Sequence, residues 1–196
     1  MTHVVAEITM SLDGFVTGPG ADLQHGLGIG GEPLHTWVTE PDEVDAEVLR
    51  EAMEMSGAVV MGLRLFDIVE GPGGGTDEMG YGADLAATPP FVVVTHAPPA
   101  KVRLDLRFTF VTDGVEAAVE HARAAAGDKH VVVMGGGNVI RQCLDAGLLD
   151  ELRIHLAPIV LGDGTPLFAG SDRHSLVQRS VRVSRNATHL VYDVRR

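Results

Sequence analysis

The sequence predicts an α/β fold, with a mostly parallel central sheet flanked by helices on both faces and a C-terminal antiparallel hairpin. Three observations lead there. The runs Ala58-Val59-Val60-Met61, Phe91-Val92-Val93-Val94-Thr95 and His130-Val131-Val132-Val133-Met134 lack a polar face and read as strands covered on both sides. Helical patterns over 42–56, 113–126 and 138–146 fall between or after them, the alternation that builds parallel sheets. Residues 176–195 read as two strands around a turn near Asn186. With 196 residues, 45% hydrophobic and 21% charged, the chain has the size and balance of one globular domain over 1–196.

Taken in order, residues 3–10 form a first strand that ends at Ser11-Leu12-Asp13-Gly14. Residues 17–36 hold Gly18, Gly20, Gly26, Gly28, Gly30, Gly31 and two prolines, a connection long enough to predict a functional lid. The helix over 42–56 begins at a capping-box-like Thr39 and Asp42. It carries Val44, Val48, Ala52 and Met55 as its apolar stripe, and Gly57 sits where a C-terminal cap belongs. The strand over 58–61 runs into Gly62, Arg64 and a further helix, and a second glycine-rich loop covers 71–82. Strands follow at 91–95 and 108–112, with Pro98-Pro99 closing the first of them. Asp113 caps a helix that stops at Gly127. The strand over 130–134 passes through Gly135-Gly136-Gly137 into a helix ended by Gly147, and a strand over 151–161 precedes the final hairpin.

The formal charge of −12 opposes binding to nucleic acid or to an anionic membrane, so a small-molecule substrate is expected. An anionic ligand would need backbone N–H groups, helix N-termini or a few arginines. The single cysteine, Cys143, forms no internal disulfide and fits the apolar side of its helix as an inert thiol. The N-terminus lacks a signal-peptide pattern, and no apolar run approaches the roughly 20 residues of a membrane span. A cytoplasmic protein is expected. The nine histidines are scattered without metal-ligand spacing, so no metal is expected.

The sharpest chemical feature is the Val-rich strand, triple glycine and immediate helix at 130–146. Three residues without Cβ place bare N–H groups at a positive helix end, which suits a pyrophosphate; a tight strand-to-helix turn is the plainer reading. Gly26-Leu27-Gly28-Ile29-Gly30-Gly31 matches G-x-G-x-x-G in letters only. No strand precedes it and Glu32-Pro33 follows, so it reads as loop. Arg64, just past Gly62, is either a phosphate partner or a solvated surface arginine.

Met61-Gly62 followed by an arginine, the strand end Thr95-His96 and Met134-Gly135-Gly136-Gly137 occur in the order and rough spacing of dihydrofolate reductases. Ser11-Leu12-Asp13-Gly14, Arg141-Gln142 and the stretch from His155-Leu156-Ala157-Pro158 through Gly162-Asp163-Gly164 to Leu167-Phe168 resemble the riboflavin-pathway reductase domain. The chain is thus similar, over about residues 3 to 194, to the dihydrofolate reductase-like superfamily. Within it, the similarity is to stand-alone members of the RibD C-terminal family.

The resemblance implies an NADPH-dependent reductase and a homodimer. It assigns the cofactor pyrophosphate to Gly135, Gly136, Gly137, Asn138 and Val139, and the adenosine phosphates to the region of Gly62, Arg64 and Thr95. It puts Ser11, Asp13 and Gly14 beside the nicotinamide and substrate, and points His155 to the same pocket. Asp13 and His155 are therefore the catalytic candidates, with either of them or ordered water as the proton source, and Ser11 and Trp37 are the substrate contacts. His155 also reads as a satisfied core histidine, and Trp37 either stacks on a planar ring or simply packs. The family arginine directly after Met-Gly is replaced by Leu63, which weakens the preference for NADPH over NADH. The acidic residue that holds a pterin falls at or beside Ala46, between Asp45 and Glu47, which argues against a dihydrofolate reductase proper. The carboxylates of 40–54 read most simply as a solvated helix face.

The implied reaction is hydride transfer to a C=N or C=O carbon of a small heterocyclic or imine substrate, the nearest named activity being 5-amino-6-(5-phosphoribosylamino)uracil reductase. The H-x-E and P-C-x-x-C signatures of a zinc deaminase are absent from the sequence. The rival reading is a nucleotide-binding or redox-sensing protein that has kept the fold without turnover.

Overall fold

The computed structural model describes residues 2–71 and 88–195. Most of the expected glycine-rich loop at 71–82 lies outside them. An eight-stranded sheet organises the chain: β1 (Val4–Ser11), β3 (Ser56–Gly62), β4 (Phe91–Val94), β5 (Phe108–Val111), β6 (His130–Met134), β7 (Glu151–Ala157), β9 (Leu176–Val183) and β10 (Thr188–Val194). Their order is β5-β4-β3-β6-β1-β7-β10-β9. From β5 to β7 every pairing is parallel, and β10 joins β7 and β9 antiparallel. This is the α/β architecture expected from the sequence, a mostly parallel sheet closed by a C-terminal antiparallel hairpin.

Alternation along the strands sorts the two faces. Val4, Ala6 and Ile8 of β1, Ala58 and Val60 of β3, Val131 and Val133 of β6 and Leu152 and Ile154 of β7 share one core with α4 (Gly114–Ala126) and α5 (Gly137–Asp145). Ala118, Ala122 and Ile140 are fully buried there. Small residues on α4 let it lie close to the sheet, while Ile140 supplies about 2–3 kcal/mol of burial. The opposite face carries α2 (Glu43–Met55) and α3 (Leu63–Glu70). Phe66 of α3 meets Phe108 and Phe110 edge-on, with ring centres 5.0 and 5.2 Å apart, and so anchors the helix over β4 and β5.

Several boundaries differ from expectation for identifiable reasons. Asp42 is the N-cap of α2, and its box partner is Asp45 three residues on, in place of Thr39. Gly57 is not a cap: α2 passes straight into β3, and a Cβ on Gly57 would stand 2.3 Å from the Ala126 carbonyl oxygen. Asp113 occupies the N-cap position of α4 without a side-chain capping bond. β7 stops at Ala157, before Pro158, instead of running to 161.

The 17–36 segment is more ordered than a plain loop. Gly18 N–H donates to the Leu27 carbonyl and Ile29 N–H to the Pro19 carbonyl, folding its two limbs together. Its end forms a 3₁₀ turn (Glu32–His35) and the short helix α1 (Thr36–Thr39). Two short strands without a sequence signal, β2 (Phe15–Thr17) and β8 (Thr165–Pro166), pair as a separate ribbon. Among the described residues no helix is long and apolar enough to cross a membrane.

Candidate active site

A cavity of about 310 Å³ opens beside the carboxyl end of β6, under α2. Glu7 and Thr9 of β1, His155 of β7, Trp37 of α1, Leu65 of α3, and Met134 with Gly135 at the start of the glycine loop all line it. Its walls are mainly apolar, so the few polar groups among them set what can bind and in which orientation. Trp37 is held by its indole N–H, which donates to Thr9 Oγ1 at 2.9 Å, and its ring lies 4.1 Å from that of His155. Position and anchoring make Trp37 a rigid wall of the pocket.

His155 is satisfied on both nitrogens, as the core reading of this residue expects, and it also lines the cavity. Its Nε2 lies 3.0 Å from Glu7 Oε1 and its Nδ1 lies 2.8 Å from Nδ1 of His189. His189 Nε2 in turn lies 2.9 Å from Asp45 Oδ1. Burial pushes the Glu7 carboxyl up. The hydrogen bond and charge of His155, with Arg153 and His189 nearby, outweigh this and hold it below its ordinary value. Burial moves His189 down against the pull of Asp45, and burial with the charge of His155 moves His35 down.

Asp45 does not belong to a solvated helix face. It is fully buried, takes Asp42 N–H and Asn186 Nδ2 on Oδ2, and meets His189 on Oδ1. Its carboxylate is thus committed to the helix cap and the histidine pair. The acidic group that reaches the cavity is Glu7, which no sequence motif singles out.

The glycine loop begins at the cavity wall. Gly135 and Gly136 have φ of +56° and +75°, which L side chains rarely adopt. A Cβ on Gly136 would meet nothing within 4 Å, so the surface beside it is open to a ligand. Gly137 starts the nine-residue α5, whose first N–H groups have no partner within the helix. These features fit a dinucleotide pyrophosphate. Val139 is different: its N–H is bound to the Gly136 carbonyl and its side chain packs where a Cβ on Gly62 would come within 2.9 Å. Gly62 is therefore needed for strand-to-helix packing, whatever else it contacts.

The other candidates are placed as follows. Asn138 Oδ1 accepts from Gln142 Nε2 at 2.9 Å and from Arg141 Nη2 at 3.3 Å, along the exposed side of α5. Arg64, exposed on the first turn of α3, donates to the Ala21 carbonyl and so ties the 17–36 segment to that helix. Thr95 directly follows β4, where its N–H donates to the Val111 carbonyl at 3.0 Å. Its hydroxyl donates to the Ala97 carbonyl and accepts from the Ala97 N–H, closing a local turn.

Ser11 is buried and donates to Asp13 Oδ1 at 2.6 Å while accepting from Phe15 N–H. Asp13 also accepts from Leu161 N–H and Gly162 N–H, at 3.1 and 2.7 Å. The hydrogen bond from Ser11 first, then those two N–H groups, lower its carboxyl to about 2. Such a carboxylate is an acceptor that joins two loops; it carries no proton to donate near neutral pH. Glu7 and Thr9, which line the cavity, and His189, which contacts His155, are not singled out by the sequence reading. A lone acid within Val4-Val5-Ala6-Glu7-Ile8, on a strand otherwise buried, is the available signal for the first of them.

Comparison with known proteins agrees with this architecture. The RibD C-terminal domain model matches residues 2–191. A putative riboflavin biosynthesis protein from Shewanella sp. PV-4 superposes with a TM-score of 0.68 at 23% identity, covering 100% of both chains. A pyrimidine reductase-like protein from Corynebacterium diphtheriae gives 0.65 at 19% identity, covering 100% of this chain and 92% of its own. Both likenesses concern the fold. The uncharacterized protein YyaP of Bacillus subtilis is 34% identical over 65 residues, a match spanning 33% of this chain and 34% of that protein. With its family model matched from residue 2 to residue 191, the chain belongs to the RibD C-terminal domain family.

Proposed function

We propose that the protein is an NADPH-dependent reductase that transfers hydride to a small heterocyclic or imine substrate, as in the pyrimidine reduction of riboflavin synthesis. One observation carries the reading: Gly135 of the open glycine loop lines the same cavity as Trp37, Glu7 and His155. A cofactor laid along Gly135, Gly136 and the first turn of α5 would bring its reactive end towards a substrate held in that cavity. When bound, the reduced nicotinamide supplies the hydride. The chain supplies the rest: Trp37 offers a flat face, Thr9 fixes Trp37, and Glu7, oriented by His155, holds a hydrogen-bonding group of the substrate in a largely apolar enclosure.

Membership of a reductase family and the names of the structural relatives support an oxidoreductase; the choice of NADPH and of a pyrimidine-like substrate is our reading. Commitment of Asp45 to His189 and Asn186 speaks against a dihydrofolate reductase proper. A homodimer, and a small molecule as the only partner besides cofactor, belong to the same proposal.

The test is titration with NADPH and with NADH, followed through Trp37 fluorescence and confirmed by calorimetry. Saturable NADPH binding in the micromolar range supports the proposal. It leads to turnover assays with 5-amino-6-(5-phosphoribosylamino)uracil and with pterins, and size-exclusion chromatography reads the dimer. Binding of neither nucleotide up to about 1 mM, an association worth only about 4 kcal/mol, refutes it.

A further inference from the structure

Glu7, His155, His189 and Asp45 form one unbranched chain of contacts that runs from the cavity to the N-terminus of α2. Its three links measure 3.0 Å (Glu7 Oε1 to His155 Nε2), 2.8 Å (Nδ1 to Nδ1) and 2.9 Å (His189 Nε2 to Asp45 Oδ1). His155 and His189 face each other because they are directly opposed in the β7–β10 ladder, and Thr9 is the β1 partner of His155.

Each link joins two atoms that carry lone pairs, so each needs a proton between them to be attractive. Two neutral imidazoles supply two protons for three links. The third makes one ring an imidazolium, or protonates one of the terminal carboxylates. We infer that these four residues are a buried proton store that feeds the cavity through Glu7. This rests on the reductase reading, because hydride transfer to C=N or C=O requires one proton for each turnover.

The proton can be followed link by link. At rest the third proton lies on the His155–His189 pair between the two carboxylates, against the burial that disfavours charge there, with His155 Nε2–H donating to Glu7. Crossing the Nδ1–Nδ1 link makes His155 the cation. His155 Nε2–H then passes to Glu7 Oε1, and the Glu7 carboxyl gives the proton to the nitrogen or oxygen of the substrate that hydride transfer leaves basic. The chain is then one proton short, with lone pairs opposed at one link. It regains the proton from water after the product leaves. Glu7 is the end where this happens: its side chain is 14% exposed, against 3% and 4% for the two histidines and 0% for Asp45.

Charges of both signs surround the histidine pair. Arg153 on β7 stands near Glu7, Arg182 on β9 near His189, and His35 at the cavity near His155. The two arginines, and His35 when protonated, oppose positive charge on the pair, while Glu7 and Asp45 favour it. Glu7 is thus the proton donor, and His155, His189 and Asp45 are positioning and storage residues.

The test begins with the full chain, without cofactor, labelled with ¹⁵N in its histidines. Nitrogen shifts across pH 5–9 are expected to show His155 and His189 sharing one imidazolium at pH 7 and titrating as a coupled pair. Asp45→Asn and Glu7→Gln, near-isosteric changes that each remove one flanking anion, should each lower that titration by about one pH unit or more while the circular dichroism stays native. Two neutral rings at pH 7, or a titration unmoved by either variant, overturns the store.

With NADPH and 5-amino-6-(5-phosphoribosylamino)uracil, Glu7→Gln should lower kcat about 100-fold or more with KM within about threefold. Asp45→Asn should move the alkaline limb of the kcat profile to lower pH. Full kcat in Glu7→Gln overturns the donor role. Absence of NADPH binding by the unaltered protein counts against the reductase reading alone, since the nitrogen shifts are measured without it.

Discussion

Gly136→Ala tests the cofactor cradle with a control built into the same fold. Gly136 sits at φ +75°, ψ 90°, with no atom within 4 Å of an added Cβ. The methyl group therefore clashes with nothing in the protein, and its stability cost is backbone strain of about 1–2 kcal/mol. For a chain of this length that is a fall in Tm of about 2–8 °C. Gly114 offers the same situation at φ +90°, again with nothing within 4 Å, but at the start of α4 and away from the cavity. Gly114→Ala should cost similar stability. The two variants separate in binding: if phosphates lie against Gly136, the methyl occupies their contact surface, and overpacking of about 1–3 kcal/mol translates into roughly 5- to 150-fold weaker NADPH. Gly114→Ala should leave Kd within about twofold. Calorimetric titration of both, below their melting temperatures, decides the matter. Equal affinities in the two variants would refute the cradle and leave the glycines as a turn.

Asp13→Asn should loosen the Leu161–Gly162 turn and lower Tm. Because the carboxyl falls from its ordinary 3.8 to about 2 in the fold, its contribution is present above about pH 4 and lost as pH falls through about 2. The difference in Tm between Asp13→Asn and parent should shrink across that window, and a constant difference would oppose the assignment. Cys143 is buried, and burial pushes its thiol up to about 12, so a thiol reagent at pH 8 should label it only after unfolding. Rapid labelling of the native protein would count against its place in the core. Gly57→Ala should lower stability by about 3 kcal/mol or more in urea melts, since its Cβ would press on backbone at 2.3 and 2.9 Å; a change below about 0.5 kcal/mol would refute that packing.

The sheet and its helices are legible in the sequence because burial on both faces leaves long apolar runs such as 130–134, and glycines mark several element ends. β2 and β8 are not legible: with three and two residues they have no periodicity, and their pairing depends on distant residues meeting. The triple glycine and Trp37 are readable as single features, and His155 is assigned on resemblance. The partners of His155 are not readable, because Glu7 and His189 lie 148 and 34 residues from it in sequence. Asp45 is misread for a related reason. Helical charge patterning suggests a wet face, but the C-terminal hairpin folds across the start of α2 and covers it. Ser11 and Asp13 are singled out by the resemblance as substrate contact and catalytic candidate, while the contacts they make, a loop clasp reaching Leu161 and Gly162, need the tertiary pairing to be seen.

The position of the cavity follows from the order of the strands. β1 is followed by α2 on one face of the sheet and leads to β3, whereas β6, its neighbour, is followed by α5 on the other face and leads to β7. Connections that depart to opposite faces leave a crevice beyond the carboxyl ends of β6 and β1, where open α/β sheets bind their ligands. Here the crevice is bordered by the glycine loop on the β6 side and by Glu7 and Thr9 on the β1 side. The same reversal gives the two faces different work. The α4–α5 face is packed almost wholly with Val, Ala, Ile and Leu, while the α2 face of β1, β7 and β10 holds Glu7, Glu151, Arg153, His155 and His189. Apolar residues of similar volume at those positions would serve stability at least as well, because burying paired charges gains little. A polar network under α2, continuous with the cavity, is therefore accounted for by chemistry at the crevice better than by the needs of the fold.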